Sequence, residues 1–320
     1  MNSSYLFSIL ATASIFTLLA LSLNIITGYA GQAMMGIAAF FGIGAYTAAI
    51  ITTHDGNFLL ALLAAMAVSG VFGAVLGVIS LRLQADFLAI TTIGINFVMA
   101  AVFNSLKITG GTLGLTTSKP VIFGLKMNNM YFFIFTTILV VIVCLLITKM
   151  RHSWFGMALA SIENDPGAAR SFGINVSKYQ ILAFIIGTAL AGLTGGIYAH
   201  RMGFISSTDF AFVVSIQVVS MCVIGGLGTL RGPIFGAVVL TVLPEVLRFA
   251  DNYRELVYAL LLVIMVRFMP EGLLGDDSPV WRFLVGIFRK IKPRKKTRAD
   301  LIAEKALASA AEFTGEGGQA

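Results

Sequence analysis

Apolar runs of roughly 20 residues recur along this chain of 320 residues, and each is long enough to cross the hydrocarbon core of a bilayer. Only 12% of the residues are charged, about half the share found in an ordinary soluble domain. In lipid, backbone groups must bond within their own segment, so that such spans are helical. The sequence therefore predicts an all-α polytopic membrane protein.

Apolar runs and polar breaks together predict about nine membrane spans, within a range of about eight to ten. The expected spans are Tyr5–Asn24, Gln32–Ile51, Phe58–Leu81, Phe87–Leu106, Met130–Thr148, Tyr179–Ala199, Phe212–Ile224, Pro233–Phe249 and Leu256–Phe268. We expect residues 1–271 to form the transmembrane domain. Residues 272–320 would form a basic tail that is partly disordered.

The segment Lys149–Lys178 is the only long polar interruption in the middle of the chain. Basic residues near both of its ends predict a cytoplasmic position. The tail segment Arg289–Arg298 holds seven basic residues in ten, and it belongs on the same side, against anionic headgroups. This topology puts Lys107, Lys119 and Lys126 outside, which is a mild conflict with the positive-inside bias.

Within that polar segment, residues Phe155–Phe172 can form a short amphipathic helix. Asp165 is a suitable N-cap for a fresh turn, Pro166 suits its first helical position, and Gly173 can end it. Such a helix suits contact with a soluble partner. Spacing alone, however, favours a connecting loop that lies on the headgroups.

Two glycine-rich interruptions, Gly28–Gly36 and Gly225–Gly232, lie in opposite halves of the chain, and each is followed by a Phe-Gly pair. Paired interruptions of this kind predict two related halves with broken helices, whose unwound backbone is buried or lines a polar cavity. The alternative is that the glycines allow close helix packing. We favour packing for Gly36, Gly42 and Gly44, and breaks for Gly28, Gly31, Gly225 and Gly228.

The sequence lacks the motifs of metalloproteases, phosphate-binding loops and nucleophile elbows, so we expect neither an enzyme nor a bound cofactor. Cys144 and Cys222 fall inside apolar segments and are interpreted as small core residues. Ionisable groups within the spans are few, and no span carries a regular arginine series. These features argue against an ion-driven transporter or a voltage sensor, and we expect the energy for transport to come from another subunit.

Eight stretches carry a more specific pattern, in a fixed order along residues Leu21–Glu271. They are Leu23–Gly31, Ala39–Tyr46, Thr109–Leu115, Phe155–Leu159, Gly173–Val176, Leu182–Phe184, Ala191–His200 and Val223–Pro233. These stretches closely resemble the LivM-type permease of branched-chain amino acid ABC importers. The resemblance implies a multi-pass permease of the bacterial inner membrane with a cytoplasmic C-terminus.

The resemblance also implies partners: a second, LivH-like permease, two ATP-binding subunits that hydrolyse ATP, and a periplasmic substrate-binding protein. Membrane lipid surrounds such a protein, and nucleic acid is not expected. Gly167–Gly173 keeps the spacing of the E-A-A-x-x-x-G contact motif of ABC permeases, but its leading acid is Gly167 and the usual I-x-L-P is missing. The residues expected to contact the ATPase are Glu163, Asp165, Ala168, Ala169 and Gly173.

The expected cargo is leucine, isoleucine or valine, carried by alternating access. Ile37 and Gln217 stand where relatives often have more polar or acidic residues, which leaves other amino acids, amides and urea as alternatives. A self-sufficient secondary transporter or channel is the alternative from a different class. The residues expected along the translocation path are Asn24, Thr27, Gly28, Tyr29, Gly31, Asn96, Gln217, Gly225 and Gly228.

Overall fold

The computed structural model describes residues 3–54, 56–81, 83, 85–117, 121–122, 125–126 and 128–246, together with 263, 267 and 272. Apart from positions 263 and 267, the predicted ninth span lies outside the described residues. The predicted basic tail, including Arg289–Arg298, lies outside them as well, apart from position 272.

Helices make up most of the described chain, as the apolar runs predict. The α-helices are α1 (Ser3–Asn24), α2 (Ile37–Thr53), α3 (Phe58–Ser80), α4 (Ala85–Ser105), α5 (Asn129–Arg151), α6 (Trp154–Asn164), α7 (Pro166–Ser171), α8 (Val176–Met202), α9 (Phe212–Gly225) and α10 (Arg231–Val246). Two short antiparallel pairs join β1 (Leu115–Thr116) to β4 (Phe204–Ile205), and β2 (Val121–Ile122) to β3 (Leu125–Lys126).

Among the described residues, six helical segments are long and apolar enough to cross a membrane, and Ile37–Thr53 is a shorter apolar helix. The prediction of a helical, multi-pass membrane protein is confirmed. The figure of about nine spans is not, because the described residues supply six candidates of full length.

The second helix begins at Ile37, five residues later than the predicted start at Gln32. Gly31 adopts a φ of 64°, and the chain from Gly31 to Gly36 has no regular structure. Instead of helical bonds, Met35 N donates to Thr92 Oγ1 on α4 over 3.0 Å, and Ala38 N donates to Ser215 Oγ on α9 over 3.0 Å. Hydroxyl groups of two other helices thus accept hydrogen bonds from backbone amides at the start of α2, which have no helical partner there.

Close packing of α2, α3 and α8 forms the centre of the fold, and glycines make it possible. A Cβ added to Gly44 would lie 2.1 Å from the carbonyl oxygen of Gly192, so α2 and α8 contact through their backbones. A Cβ on Gly73 of α3 would lie 1.8 Å from Thr188 Oγ1. Small residues at helix crossings are the usual way to bring membrane helices together, and the packing role predicted for Gly44 is confirmed.

An aromatic cluster surrounds Phe210, at the short 3₁₀ turn Ser207–Phe210 that leads into α9. The rings of Phe41, Tyr46, Phe103 and Tyr198 have centroids 5.4 to 6.2 Å from that of Phe210. Tilted and edge-to-face aromatic pairs of this spacing add to the burial energy. The cluster fixes the point at which the chain enters α9.

Candidate functional site

Asn24 joins the two glycine-rich segments of the chain. It is fully buried at the end of α1, before a π-helical turn over Ile25–Tyr29. Its Nδ2 donates to the carbonyl oxygen of Thr229 over 2.8 Å, and its Oδ1 accepts from Gly228 N over 3.0 Å. One buried carboxamide thus satisfies both a donor and an acceptor of the turn between α9 and α10.

The place where Asn24 and Gly28 meet Gly228 is called the Asn24 junction below, and direct backbone contact between the two glycines makes it tight. A Cβ on Gly28 would lie 2.1 Å from Asn24 Oδ1 and 2.5 Å from Gly228 N. Gly228 also has a φ of 73°, which favours glycine. Only glycine fits at position 28, because any side chain there would push the two segments apart.

Glu163, at the end of α6, contacts both glycine-rich segments. A Cβ on Gly31 would lie 3.3 Å from Glu163 Cα, and one on Gly228 would lie 3.8 Å from Glu163 Oε1. Together with Tyr29 and Arg151, Glu163 and Gly228 line a small cavity of about 70 Å³. The central polar segment therefore reaches the junction directly.

Two side chains of opposite charge, Arg151 and Glu163, line this cavity. The Arg151 guanidinium lies 5.9 Å from the centroid of the Tyr29 ring, a cation–π geometry. Burial raises the pKa of Glu163, while the positive charge of Arg151 acts to lower it. A second cavity of about 210 Å³ lies beside the first and is lined by Tyr29, Arg151, Thr229 and Arg231, among others.

The local signals in the central segment are confirmed. Asp165 caps α7 by accepting from Gly167 N and Ala168 N, and Pro166 occupies the first helical position. Gly173, with a φ of 80°, follows the end of α7. The predicted helix Phe155–Phe172 is divided into α6 and α7, because the capping residue Asp165 takes an extended conformation.

The segment formed by α6 and α7 has two distinct faces. Leu159, Ile162 and Ala169 are buried, and Ile162 and Ala169 pack with Val176 at the start of α8. Near the two ends of the segment, Trp154 is 82% and Phe172 is 86% exposed. Among the residues predicted to contact an ATPase, Glu163, Asp165, Ala168 and Gly173 are exposed. Ala169 lies beneath that surface, although the sequence analysis places it among the contacts.

Five of the nine residues predicted along the translocation path meet at one place in the structure. Asn24, Gly28, Gly31 and Gly228 meet at the Asn24 junction, next to Glu163, together with Tyr29, which lines the cavity there. Gly225, the last residue of α9, packs on Gly232 at the start of α10, and Thr27 lies in the π-helical turn. Asn96 lies instead beside the aromatic cluster, where its Nδ2 donates to the carbonyl oxygen of Phe210 over 3.2 Å. Gln217 is half-buried on α9.

Several polar residues of this region were not predicted. Gln32 is 5% exposed, and its Oε1 is buried without a hydrogen-bond partner among the described residues. Thr92 and Ser215, which bond the start of α2, are fully buried. Nothing in the sequence separates these hydroxyl residues from the others in apolar helices, because their role depends on which helices become neighbours.

Comparison with known proteins gives this geometry a context. The family model described as "Branched-chain amino acid transport system / permease component" matches residues 5–269. The chain belongs to this permease family. No solved structure matches it.

Curated relatives of this permease include both subunit types. It is 32% identical to the LivM permease protein of Salmonella typhimurium and 31% identical to that of Escherichia coli K12, each over 83% of this chain and 69% of the relative. It is 25% identical to a probable LivH permease protein of Methanocaldococcus jannaschii, over 65% of this chain and 72% of the relative. These matches confirm the expected class, a transport permease that is not itself an enzyme, and imply a permease pair.

Proposed function

We propose that this permease imports branched-chain amino acids across a bacterial inner membrane, driven by two ATP-binding subunits. Leucine, isoleucine and valine arrive from a periplasmic binding protein, and a LivH-like permease forms the other half of the pathway. Residues 1–271 form the membrane domain, and residues 272–320 form a cytoplasmic tail. The cargo follows from the names of the LivM relatives.

The position of Glu163 is the observation that carries the proposed coupling. Glu163, next to the point where α6 meets α7, contacts both glycine-rich segments, while Trp154 and Phe172 near the two ends of the same segment are exposed. A partner that pushes or pulls this segment therefore acts on the junction without an intermediate element. Short, direct contacts of this kind transmit a switching movement between two packed arrangements.

The exposed aromatic side chains give the partner a place to bind. Trp154 and Phe172 are the most exposed large side chains of the α6–α7 segment. Buried aromatic anchors dominate binding energy at protein interfaces, so exposure of two of them here favours a protein partner. Asp165, Ala168 and Gly173 of the same segment are exposed as well, and the small residues among them would allow close approach.

Within this proposal, the Asn24 junction is the cytoplasmic gate in its closed arrangement. The π-helical turn at Ile25–Tyr29 and the turn after Gly225 are the broken elements of two related halves. Opening separates Gly28 from Gly228 and exchanges the two Asn24 bonds for water or substrate. Nucleotide binding supplies the differential energy, so the permease needs only two arrangements of similar stability.

Neutral dipoles near the junction, and one more beside the aromatic cluster, suit a zwitterion with an aliphatic side chain. Thr27 Oγ1, Gln32 Oε1 and Asn96 Oδ1 are buried and have no hydrogen-bond partner among the described residues. Buried polar atoms of this kind are rare unless a ligand or water satisfies them. An aliphatic side chain needs apolar surroundings, and the buried Ile25 and Ile26 precede Thr27 in the π-helical turn.

The coupling proposal is tested with Phe172→Ala in the complete importer, reconstituted in proteoliposomes. We expect weaker co-purification of the ATP-binding subunits and lower ATP-dependent leucine uptake, at an unchanged level of permease. Phe97→Ala is the matched control, because Phe97 is 59% exposed on α4, away from the segment. Equal co-purification and uptake in both variants would contradict docking at this surface.

The cargo and the energy source are tested in the same proteoliposomes. Unlabelled isoleucine and valine should compete with leucine, whereas amides and urea should not. Uptake of leucine by the permeases alone, with no ATP-binding subunit present, would support the alternative of a secondary transporter or channel.

A further inference from the structure

An open apolar groove lies on the side of the bundle, between α3, α5 and α8. Its volume is about 490 Å³, and every residue that lines it is apolar. Leu146 and Met150 of α5 form one wall, Ile185 of α8 forms the other, and the buried side chain of Ile25 contributes from the π-helical turn that follows α1. Grooves of this size and composition bind ligands with long apolar parts.

The length of the groove limits what can fill it. Along α5 it runs from Leu139 to Met150, which is roughly 16 Å at the helical rise per residue. That is about half of the ~30 Å hydrocarbon core, or the depth of one leaflet. A transmembrane helix of a neighbouring subunit would cross the whole core, whereas a lipid acyl chain ends at its middle.

Two lysines lie at the end of the groove that adjoins the α6–α7 segment. Lys149 follows Ile142 and Leu146 on one face of α5, and Lys178 precedes Ile185 and Ala189 on one face of α8. Both lysines are exposed. Each wall of the groove therefore ends in a positive charge at the level where a headgroup would lie.

We propose that this groove binds an anionic phospholipid, with one acyl chain between α5 and α8 and its phosphate between Lys149 and Lys178. The proposal does not depend on which solute the permease carries. It does place a lipid against Ile25, the first residue of the π-helical turn that leads to the Asn24 junction. Occupancy of the groove thus bears on the element that carries the gate.

The test uses the assembled importer in nanodiscs of equimolar phosphatidylglycerol and phosphatidylcholine. After extraction into mild detergent, native mass spectrometry counts the lipids that stay bound. We expect retained phosphatidylglycerol in the wild type, and a loss of about thirtyfold in affinity in Lys149→Ala/Lys178→Ala, from the ordinary attraction of two lysines to anionic lipid.

A pair of neighbouring substitutions separates the groove from the rest of the α5 surface. Leu146→Trp fills the groove, whereas Leu145→Trp adds the same bulk at a residue that is 66% exposed and does not line it. Retained lipid should be lost in the first variant and kept in the second.

Three results would overturn the proposal. One is equal retention of phosphatidylglycerol and phosphatidylcholine, and another is equal retention in both tryptophan variants. The third is loss of the second permease from the Leu146→Trp complex with no change in bound lipid, because a protein subunit would then cover the groove.

Discussion

The carboxamide of Asn24 bonds the backbone of Gly228, 204 residues further along the chain, across a distance of 3.0 Å. A second bond, from Nδ2 to the carbonyl oxygen of Thr229, closes the pair. Two hydrogen bonds of a single side chain thus join the end of the first helix to the turn between α9 and α10.

Replacing Asn24 with leucine should destabilise the protein by about 1–3 kcal/mol per orphaned group, because it leaves Gly228 N and the Thr229 carbonyl buried without partners. Thermal unfolding in detergent measures the loss. Asn164→Leu is the control, since Asn164 is exposed and bonds only within its own helix through Ala160. If the two variants melt at the same temperature, the Asn24 bonds contribute nothing to stability.

Gly28→Ala should weaken the same junction by pushing Asn24 away from Gly228. The added Cβ has no room, so we expect a destabilisation of about 1–3 kcal/mol from overpacking. Gly94→Ala is the matched control in α4, where a Cβ meets nothing within 4 Å. In that variant the gain in helix propensity should leave stability unchanged or slightly higher. An unfolding midpoint for Gly28→Ala at or above that of the control would refute the close contact.

Two neighbouring alanines should respond differently to the same change. Ala169→Glu buries a carboxylate beside Ile162 and Val176, and we expect it to unfold the α7 segment and lower the amount of permease in the membrane. Ala168→Glu adds the charge on the exposed face, so permease levels should hold while ATP-dependent uptake falls. Immunoblots and uptake assays distinguish the outcomes. The opposite pattern would mean that α7 is rotated from the orientation seen here.

Glu163 should give the protein a dependence on pH that Glu163→Gln removes. Burial raises the pKa of Glu163 in the folded state, so folding favours the protonated acid. That contribution to stability is present below the pKa of the unfolded chain and is lost as pH rises through the higher folded value. Thermal midpoints of the wild type should therefore fall, relative to Glu163→Gln, from pH 4 towards neutrality. Asp165→Asn, which removes a nearby charge and keeps an N-cap residue, should follow the wild type.

Sequence reasoning succeeds here where the cause is local. Asp165, Pro166 and Gly173 specify the boundaries of α7 by their own backbone and side-chain chemistry, and the structure confirms all three. The start of α2 is different, because Gly31 predicts a break but says nothing about how far it extends. Thr92 and Ser215, which are far away in the sequence, decide that.

At the candidate site too, the contacts between distant segments could not be predicted from the sequence. The two glycine-rich segments are recognisable as a pair, but their direct contact through Asn24 depends on how α1 and α9 pack. Helical spacing alone also does not settle which side of the short helix α7 meets the bundle, and Ala169 is buried for that reason. Contacts between distant segments, such as Glu163 with Gly31, become visible only once the chain is folded.

The hydroxyl groups that bond the beginning of α2 have a consequence for how the protein is made. Ser215 enters the bilayer long after Ile37 has left the ribosome, and until it does, the amide of Ala38 lacks its acceptor. The hydrogen bonds at the start of the second helix are therefore complete only after α9 has been inserted beside it.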